Sequence, residues 1–264
     1  MLIDSHCHLN YKGLAEQQDA VLERARAAGV KGFLNISTRQ REWADIVATA
    51  HRYADVWASV GIHPHEADEH VDLGAAALRA ATDDPRVIAI GETGLDYYYD
   101  HSDRQVQQDL FRVHIAVARE TGLPLIIHTR DAEDDTARIL TEEMGKGAFP
   151  ALIHCFTASA EFGQKMIELG LTISLSGIVT FKNAKDLQAF AAEVPEDRLL
   201  VETDAPFLAP MPHRGKVCEP AFVADTLHFV ASLRGETPQA LAETTGRNFA
   251  ALFAKAGIAG AIAA

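Results

Sequence analysis

Eight short apolar and β-branched runs punctuate the chain, each passing into polar residues or glycine. They are LIDSHCHL from Leu2, VKGFLNIS from Val30, VWASVGIHP from Val56, VIAIGETGLD from Val87, LPLIIHTR from Leu123, PALIHCF from Pro150, LTISLSG from Leu171 and RLLVETDAPFL from Arg198. A run that stays apolar without alternating suits a strand buried on both faces. Between the runs the period changes to that of a helix. In DRQVQQDLFRVHIAVARETG, Val106, Leu110, Val113 and Val117 form an apolar stripe while charges take the other faces. Gly29, Gly122, Gly145 and Gly170 each close a helical stretch shortly before the next strand, as C-terminal stops do.

Eight strand and helix pairs in strict alternation require parallel strands with right-handed crossovers, and eight is the number that closes on itself. The fold predicted is α/β, a TIM (β/α)8 barrel, and 264 residues suit one such barrel of ~250. An open doubly wound sheet would place a G-x-G-x-x-G turn after the first strand, where this chain has His8, Leu9 and Asn10. No linker or low-complexity segment divides the chain, so residues 1–264 read as a single domain. Residues 254–264, small and apolar, read as a frayed helix end or tail.

Composition narrows the class. With 48% hydrophobic and 23% charged residues and no apolar run of membrane length, the chain reads as soluble and globular. MLIDSHCH lacks the basic and apolar regions of a secretory signal, which makes the cytoplasm the expected location. Cys7, Cys155 and Cys218, odd in number and widely spaced, do not form a disulfide framework. The formal net charge of -13 repels polyanions at long range, so a phosphate-bearing substrate needs a local positive site.

In a barrel the C-terminal strand ends build the site. His6 and His8 end the first run, His63 and His65 the third, Glu92 the fourth, His128 the fifth, His154 the sixth and Asp204 the eighth. Alternation turns His6 and His8 to one face and Cys7 to the other, and it aligns Glu92 with Ile90 and Ile88, and Asp204 with Glu202 and Leu200. His6, His8, His128, His154, Glu92 and Asp204 can therefore share one cavity. One histidine at a strand end is ordinarily a satisfied polar group, but six such groups converging without a cation would carry a heavy desolvation cost. Imidazole with carboxylate suits zinc, manganese or iron, and six donors exceed what one tetrahedral ion needs. Two divalent ions are expected, with Glu92, two-oxygened and centrally placed, as the bridge. His51, His70, His114 and His228 lie in helical or loop stretches and receive no role.

The motifs DSHCHL, GIHPH, IGETGLDYYY, LIIHTRD, HCFT, GIVTFKNA, ETDAPFL and PHRGK follow in that order, and together they resemble the TatD family of metal-dependent deoxyribonucleases in the amidohydrolase superfamily. The resemblance spans almost the whole chain. It implies a TIM barrel, a centre of two divalent ions (zinc, magnesium or manganese) and hydrolysis of DNA phosphodiesters, often from the 3′ end. Carried over by position, it makes His6, His8, Glu92, His128, His154 and Asp204 the metal ligands, the set reached from the strand ends. A related branch of the superfamily has a modified lysine where this chain has Glu92. The family commonly has an asparagine where this chain has Cys218, and an unpaired loop cysteine is ordinarily inert.

The mechanism expected is metal-assisted hydrolysis, in which an activated water attacks phosphorus and Asp204 accepts its proton. Glu92 and Asp204 are the catalytic carboxylates, and Glu202, on the same strand face as Asp204, orients a ligand. His63, His65, Arg130, Lys182, His213, Arg214 and Lys216 are candidates for holding phosphate, although each alone can be a solvated surface charge. Tyr97, Tyr98 and Tyr99 can stack an unpaired base or pack beneath their loop. The partner expected is DNA, at single-stranded ends, with no membrane and no obligate protein partner. Salt dependence should be weak, on the order of one to three released counterions. The function predicted is 3′-to-5′ exodeoxyribonuclease. The alternatives are hydrolysis of another ester, such as an aminoacyl-tRNA ester, a lactone or a small phosphoester, and a non-catalytic binding protein with a structural metal. The last would be marked by a lost ligand or base, and none of the six is missing.

Overall fold

The computed structural model describes residues 1–262. Its strands are β1 (Leu2–Cys7), β2 (Val30–Asn35), β3 (Val56–Val60), β4 (Val87–Asp96), β5 (Leu125–Arg130), β6 (Ala151–Ile153), β7 (Thr172–Leu175) and β8 (Leu199–Val201). They lie side by side in chain order, every pair parallel. β1 and β8 meet through a parallel bridge between Cys7 and Ala205. The His8 amide donates to the Ala205 carbonyl (2.8 Å), and the Asp204 amide to the His6 carbonyl (2.9 Å). The eight-stranded barrel expected from the sequence thus forms, and its closing seam lies between two segments that carry candidate ligands.

The helices are α1 (Gln18–Ala27), α2 (Trp43–Arg52), α3 (Ala75–Ala81), α4 (Arg104–Thr121), α5 (Glu133–Lys146), α6 (Ala160–Glu168), α7 (Lys185–Glu193), α8 (Val223–Arg234), α9 (Pro238–Leu252) and α10 (Ala259–Ile262). α4 begins at Asp103, whose carboxylate accepts from the Gln105 and Val106 amides, and stops at Gly122 in the left-handed region (φ 70°). Its buried face is centred on Leu110, Phe111, His114, Ile115 and Ala118, so the stripe read from Val106 and Val113 is only the edge of that face. Gly145, expected as a stop, lies inside α5. The chain turns out of the helix at Gly147 (φ 153°), and Gly145 keeps a helical backbone.

Apolar side chains on the outer face of the strands, among them Cys7, Phe33, Ala58, Ile90 and Ile127, pack beneath the helices. A second cluster, with Ile3, Leu34, Trp57, Ile88, Ile126, Leu152 and Leu200, fills the barrel interior and meets Phe249 and Phe253. Those two rings belong to or adjoin α9, a helix outside the eight-pair reading, capped by the Thr237 hydroxyl with Pro238 in its first turn. Trp57 lies 5.6 Å from Phe249, and Phe249 4.5 Å from Phe253. The rings shut the lower end of the barrel, which leaves the C-terminal strand ends as its mouth.

Ile88 and Ile90 fall in different clusters, so the alignment of Glu92 with both is corrected. β4 carries a register shift against β3 between Ser59 and Ala58, and another against β5 between Ile90 and Thr93. Each inserts one residue and reverses alternation. The first turns Ile90 outward and the second returns Glu92 to the interior.

Of the stretch read as a frayed tail, residues 254–256 form a 3-10 turn, α10 follows, and residues 263–264 lie outside those described. Lys255 donates to the Thr82 (2.7 Å) and Asp84 (2.8 Å) carbonyls. No helix among the described residues is long and apolar enough to cross a membrane.

Candidate metal centre

His6 and His8 leave β1 on the interior side while Cys7 points under the helices, its thiol 3.5 Å from the Leu34 carbonyl. Asp204 lies three residues beyond β8 in a left-handed conformation (φ 59°) that brings its carboxylate back over the seam. His6 Nε2 stands 3.3 Å from His8 Nε2, 3.4 Å from Glu92 Oε2 and 3.5 Å from Asp204 Oδ1, and His8 Nε2 stands 3.3 Å from the same Asp204 oxygen. Donors about 2.1 Å from a tetrahedral ion lie about 3.4 Å from one another, so this half has the dimensions of a cation cage. The other Glu92 oxygen, Oε1, faces a different group: His154 Nε2 at 2.7 Å, His128 Nδ1 at 3.2 Å and His63 Nε2 at 3.4 Å.

Two carboxylates hold the histidines from behind. Glu202 Oε1 accepts from the Cys155 amide (2.8 Å) and lies 3.2 Å from His154 Nδ1, which leaves Nε2 of that ring to face Glu92. Asp96 Oδ2 lies 3.0 Å from His128 Nε2 and 2.8 Å from His65 Nε2, which directs His128 Nδ1 toward Glu92. Asp96 is in turn fixed by the Tyr98 and Tyr99 amides on its other oxygen. Carboxylates behind ligating imidazoles set tautomer and orientation.

Burial and charge act against each other here. Burial drives the Glu92 carboxyl up, but His154, His63 and His128 outweigh it and hold the group well below the carboxylate range. Asp204 is lowered in the same way, burial being overcome by His8 and His6. Burial, with the neighbouring His154, pushes His6 down, and burial pushes His63 down to about 4. His8, His128 and His154 are raised because Asp204, Asp96, Glu92 and Glu202 overcome burial. His6 Nδ1, His8 Nδ1, His154 Nε2 and Glu202 Oε2 are buried without a hydrogen-bond partner among the described residues. His154 Nε2 and Glu92 Oε1 are close yet off the hydrogen-bond line. His154 Nε2, unpaired against Glu92 Oε1, and the Nε2 atoms of His6 and His8, crowded against each other and two carboxylates, fit a shared cation that would take up their lone pairs.

All six candidate ligands read from the sequence converge here, and Glu202 lies behind His154. His63, read as a phosphate contact, is brought within ligand distance of Glu92 and His128. It lies beyond β3, at the start of a 3-10 turn where its Nδ1 accepts from the His65 amide. Arg130 lies over the rings of Tyr98 (4.1 Å) and Tyr99 (4.8 Å). His213 stacks on Phe222 at 3.9 Å and lies 3.2 Å from Asp225, and Arg214 covers Phe181. Lys182 and Lys216 sit at the mouth in the loops after β7 and β8. Cys218 is buried beneath the helices, where burial raises its thiol far above its ordinary value. Tyr97 packs, its hydroxyl 2.8 Å from Asp135, whereas Tyr98 and Tyr99 are exposed. Sequence reasoning missed Asp96, although alternation continued from Glu92 through Gly94 would have reached it. It also missed Tyr11, whose ring stacks on His8 at 4.6 Å.

The family described as "TatD related DNase" matches residues 3–254. The chain belongs to the TatD family of metal-dependent hydrolases. The uncharacterized metal-dependent hydrolase YcfH of Escherichia coli strain K12 is 44% identical to this TatD-family chain over 255 residues, 96% of this chain and 95% of that one. The "3'-5' ssDNA/RNA exonuclease TatD" of Klebsiella pneumoniae is 34% identical over 258 residues, 96% and 97% of the two chains. Among solved structures, YJJV, a TatD homolog from Escherichia coli, superposes with a TM-score of 0.89 at 28% identity, covering 96% of this chain and 98% of that one. A lactonase from Deinococcus radiodurans, at 19% identity and a TM-score of 0.68, shares the fold.

Proposed function

We propose that this TatD-family hydrolase removes nucleotides from single-stranded DNA ends in the 3′-to-5′ direction, and that His6, His8, His63, His128, His154, Glu92 and Asp204 would hold two divalent ions. The observation that carries this reading is the division of the Glu92 carboxylate: Oε2 faces His6 and His8, which also face Asp204, and Oε1 faces His63, His128 and His154. The name of the Klebsiella relative supports the substrate class. Divalent ions bound there would neutralise phosphate charge and acidify a water molecule.

The chain's own residues supply the rest. Asp204 is held ionised by its histidines and is 14% exposed, against 4% for Glu92 and 0% for His6, so it faces the mouth and can take a proton from an attacking water. His65, fixed by Asp96 and one-quarter exposed, and Arg130, over the Tyr98 and Tyr99 rings, are assigned to the phosphate. The net charge of -13 elsewhere confines a polyanion to this opening.

The test is incubation of end-labelled single-stranded DNA with added Mg²⁺, Mn²⁺ or Zn²⁺. Shortening from the 3′ end that EDTA stops and Asp204→Asn removes is the expected result. Hydrolysis of a lactone or aminoacyl ester by a protein that leaves every oligonucleotide intact would move the assignment to another ester. A metal content of one ion per active chain would overturn the division across Glu92.

A further inference from the structure

Among the described residues the large apolar side chains that stand exposed are Val71, Tyr98, Tyr99, Phe207, Met211 and Val217. All follow β3, β4 or β8, on the end of the barrel that holds the candidate metal centre. The rings differ in what already covers them. Tyr99 carries His101 in parallel stacking (5.5 Å, 3°) on the one hand and the Arg130 guanidinium on the other, and Arg130 also lies over Tyr98. Phe207, 49% exposed, meets only steeply inclined rings: His8 at 6.2 Å and 71°, and Tyr11 at 6.0 Å and 88°. No ring lies parallel to it among the described residues.

Phe207 is also tied to the chemistry. Its amide donates to the Asp204 carbonyl at 2.9 Å, so the ring and the proton acceptor share one rigid turn. Tyr11, which it meets edge to face, is stacked on the candidate ligand His8 and pinned by a 2.7 Å bond between its hydroxyl and Thr38. A line of three rings thus runs from solvent to the ligand group, and its outermost member has a bare face.

We propose that Phe207, braced by Tyr11, is the platform on which the unpaired terminal base of a nucleic-acid substrate stacks, placing the adjoining phosphate over Asp204. This rests on the nuclease reading. A base inside a duplex has both faces covered by its neighbours, whereas a frayed or single-stranded terminus can offer one to Phe207. Preference for single-stranded ends then resides in this ring.

The test uses the metal-loaded enzyme with two end-labelled oligonucleotides, one with an ordinary base on its 3′-terminal nucleotide and one abasic there. Wild type should favour the base-bearing substrate about 10- to 100-fold in kcat/KM, the usual range for stacking. Phe207→Ala should bring that ratio close to one, and Phe207→Trp should restore it. Phe207→Leu, which keeps bulk without a ring face, should behave like Phe207→Ala. 2-Aminopurine at the 3′ terminus should be quenched on binding to Asp204→Asn, and unquenched with Asp204→Asn/Phe207→Ala. An undiminished ratio in Phe207→Ala, or equal loss on both substrates, overturns the platform and leaves the nuclease reading standing. Wild type that shortens neither oligonucleotide overturns both.

Discussion

His114 is buried in α4 with both ring nitrogens engaged by main chain. Nδ1 lies 2.8 Å from the Leu110 carbonyl, to which it donates, and Nε2 accepts from the Ile62 amide at 3.1 Å. Ile62 precedes His63, so the ring fastens the segment that delivers that residue to Glu92. A proton on Nε2 would break the Ile62 bond and leave a buried charge, and burial accordingly pushes the ring down to about 4 from 6.5. For a base depressed in the folded state the stabilisation is whole above the unfolded value and is lost as pH falls through the folded one. From those two values the native state should lose about 2 kcal/mol between pH 7.5 and pH 5, of about 3.4 kcal/mol in all. Urea unfolding of wild type and His114→Gln at a series of pH values measures this. The replacement lowers stability throughout by lost packing, but only wild type should show the extra decline of about 2 kcal/mol toward pH 5. Histidines of the metal centre titrate in both proteins and cancel in the difference. Parallel curves would refute the reasoning.

Asp96→Asn should weaken metal binding about 10- to 100-fold, because His128 loses the carboxylate that sets its tautomer; competition with a chromophoric chelator reads the change. Gly94→Ala should cost more than about 3 kcal/mol in thermal or chemical unfolding, since a methyl group there would overlap the His128 carbonyl oxygen and the backbone is left-handed (φ 137°). Phe249→Ala should cost about 3 to 5 kcal/mol by opening the ring cluster against Trp57, with a lowered Tm and undiminished metal affinity. The logarithmic salt slope of oligonucleotide binding should correspond to about one to three counterions, and a slope typical of six or more phosphate contacts would contradict a mouth that holds only a terminus.

The barrel was legible because its strands are covered on both faces and therefore read as unbroken apolar runs. The pair His6 and His8 was legible for a different reason: alternation is local, and it separates them from Cys7 whatever the rest of the strand does. β4 defeated the same rule. Its two register shifts depend on how β3 and β5 press against it, and no pattern within VIAIGETGLD shows them. Glu92 came out on the correct side only because the shifts cancel. α9 lay outside the eight-pair reading, and its role as a plug was not legible because Trp57, the ring that receives Phe249, comes from the distant strand β3. The contacts of His213 with Asp225 and Phe222, and of Arg214 with Phe181, were not legible because they depend on how the long loop after β8 folds back. Phe207 was invisible because exposure is a property of the finished surface.

The close approach of β3, β4 and β5 has a bearing on how this enzyme can diversify. A side chain at Gly61 would strike the Gly91 backbone, one at Gly91 would strike Ile126, and one at Gly94 would strike His128. Glu92 and His128 are thus located by main chain packed against main chain, with no side chain whose replacement could be absorbed by repacking. Change that keeps the fold is therefore expected at the periphery. Grafts of the turn from Pro206 to Val217, or of the tip from Tyr97 to His101, should alter what is bound while the ligand frame stays as it is, and a library built at Gly61, Gly91 or Gly94 should yield almost no folded members.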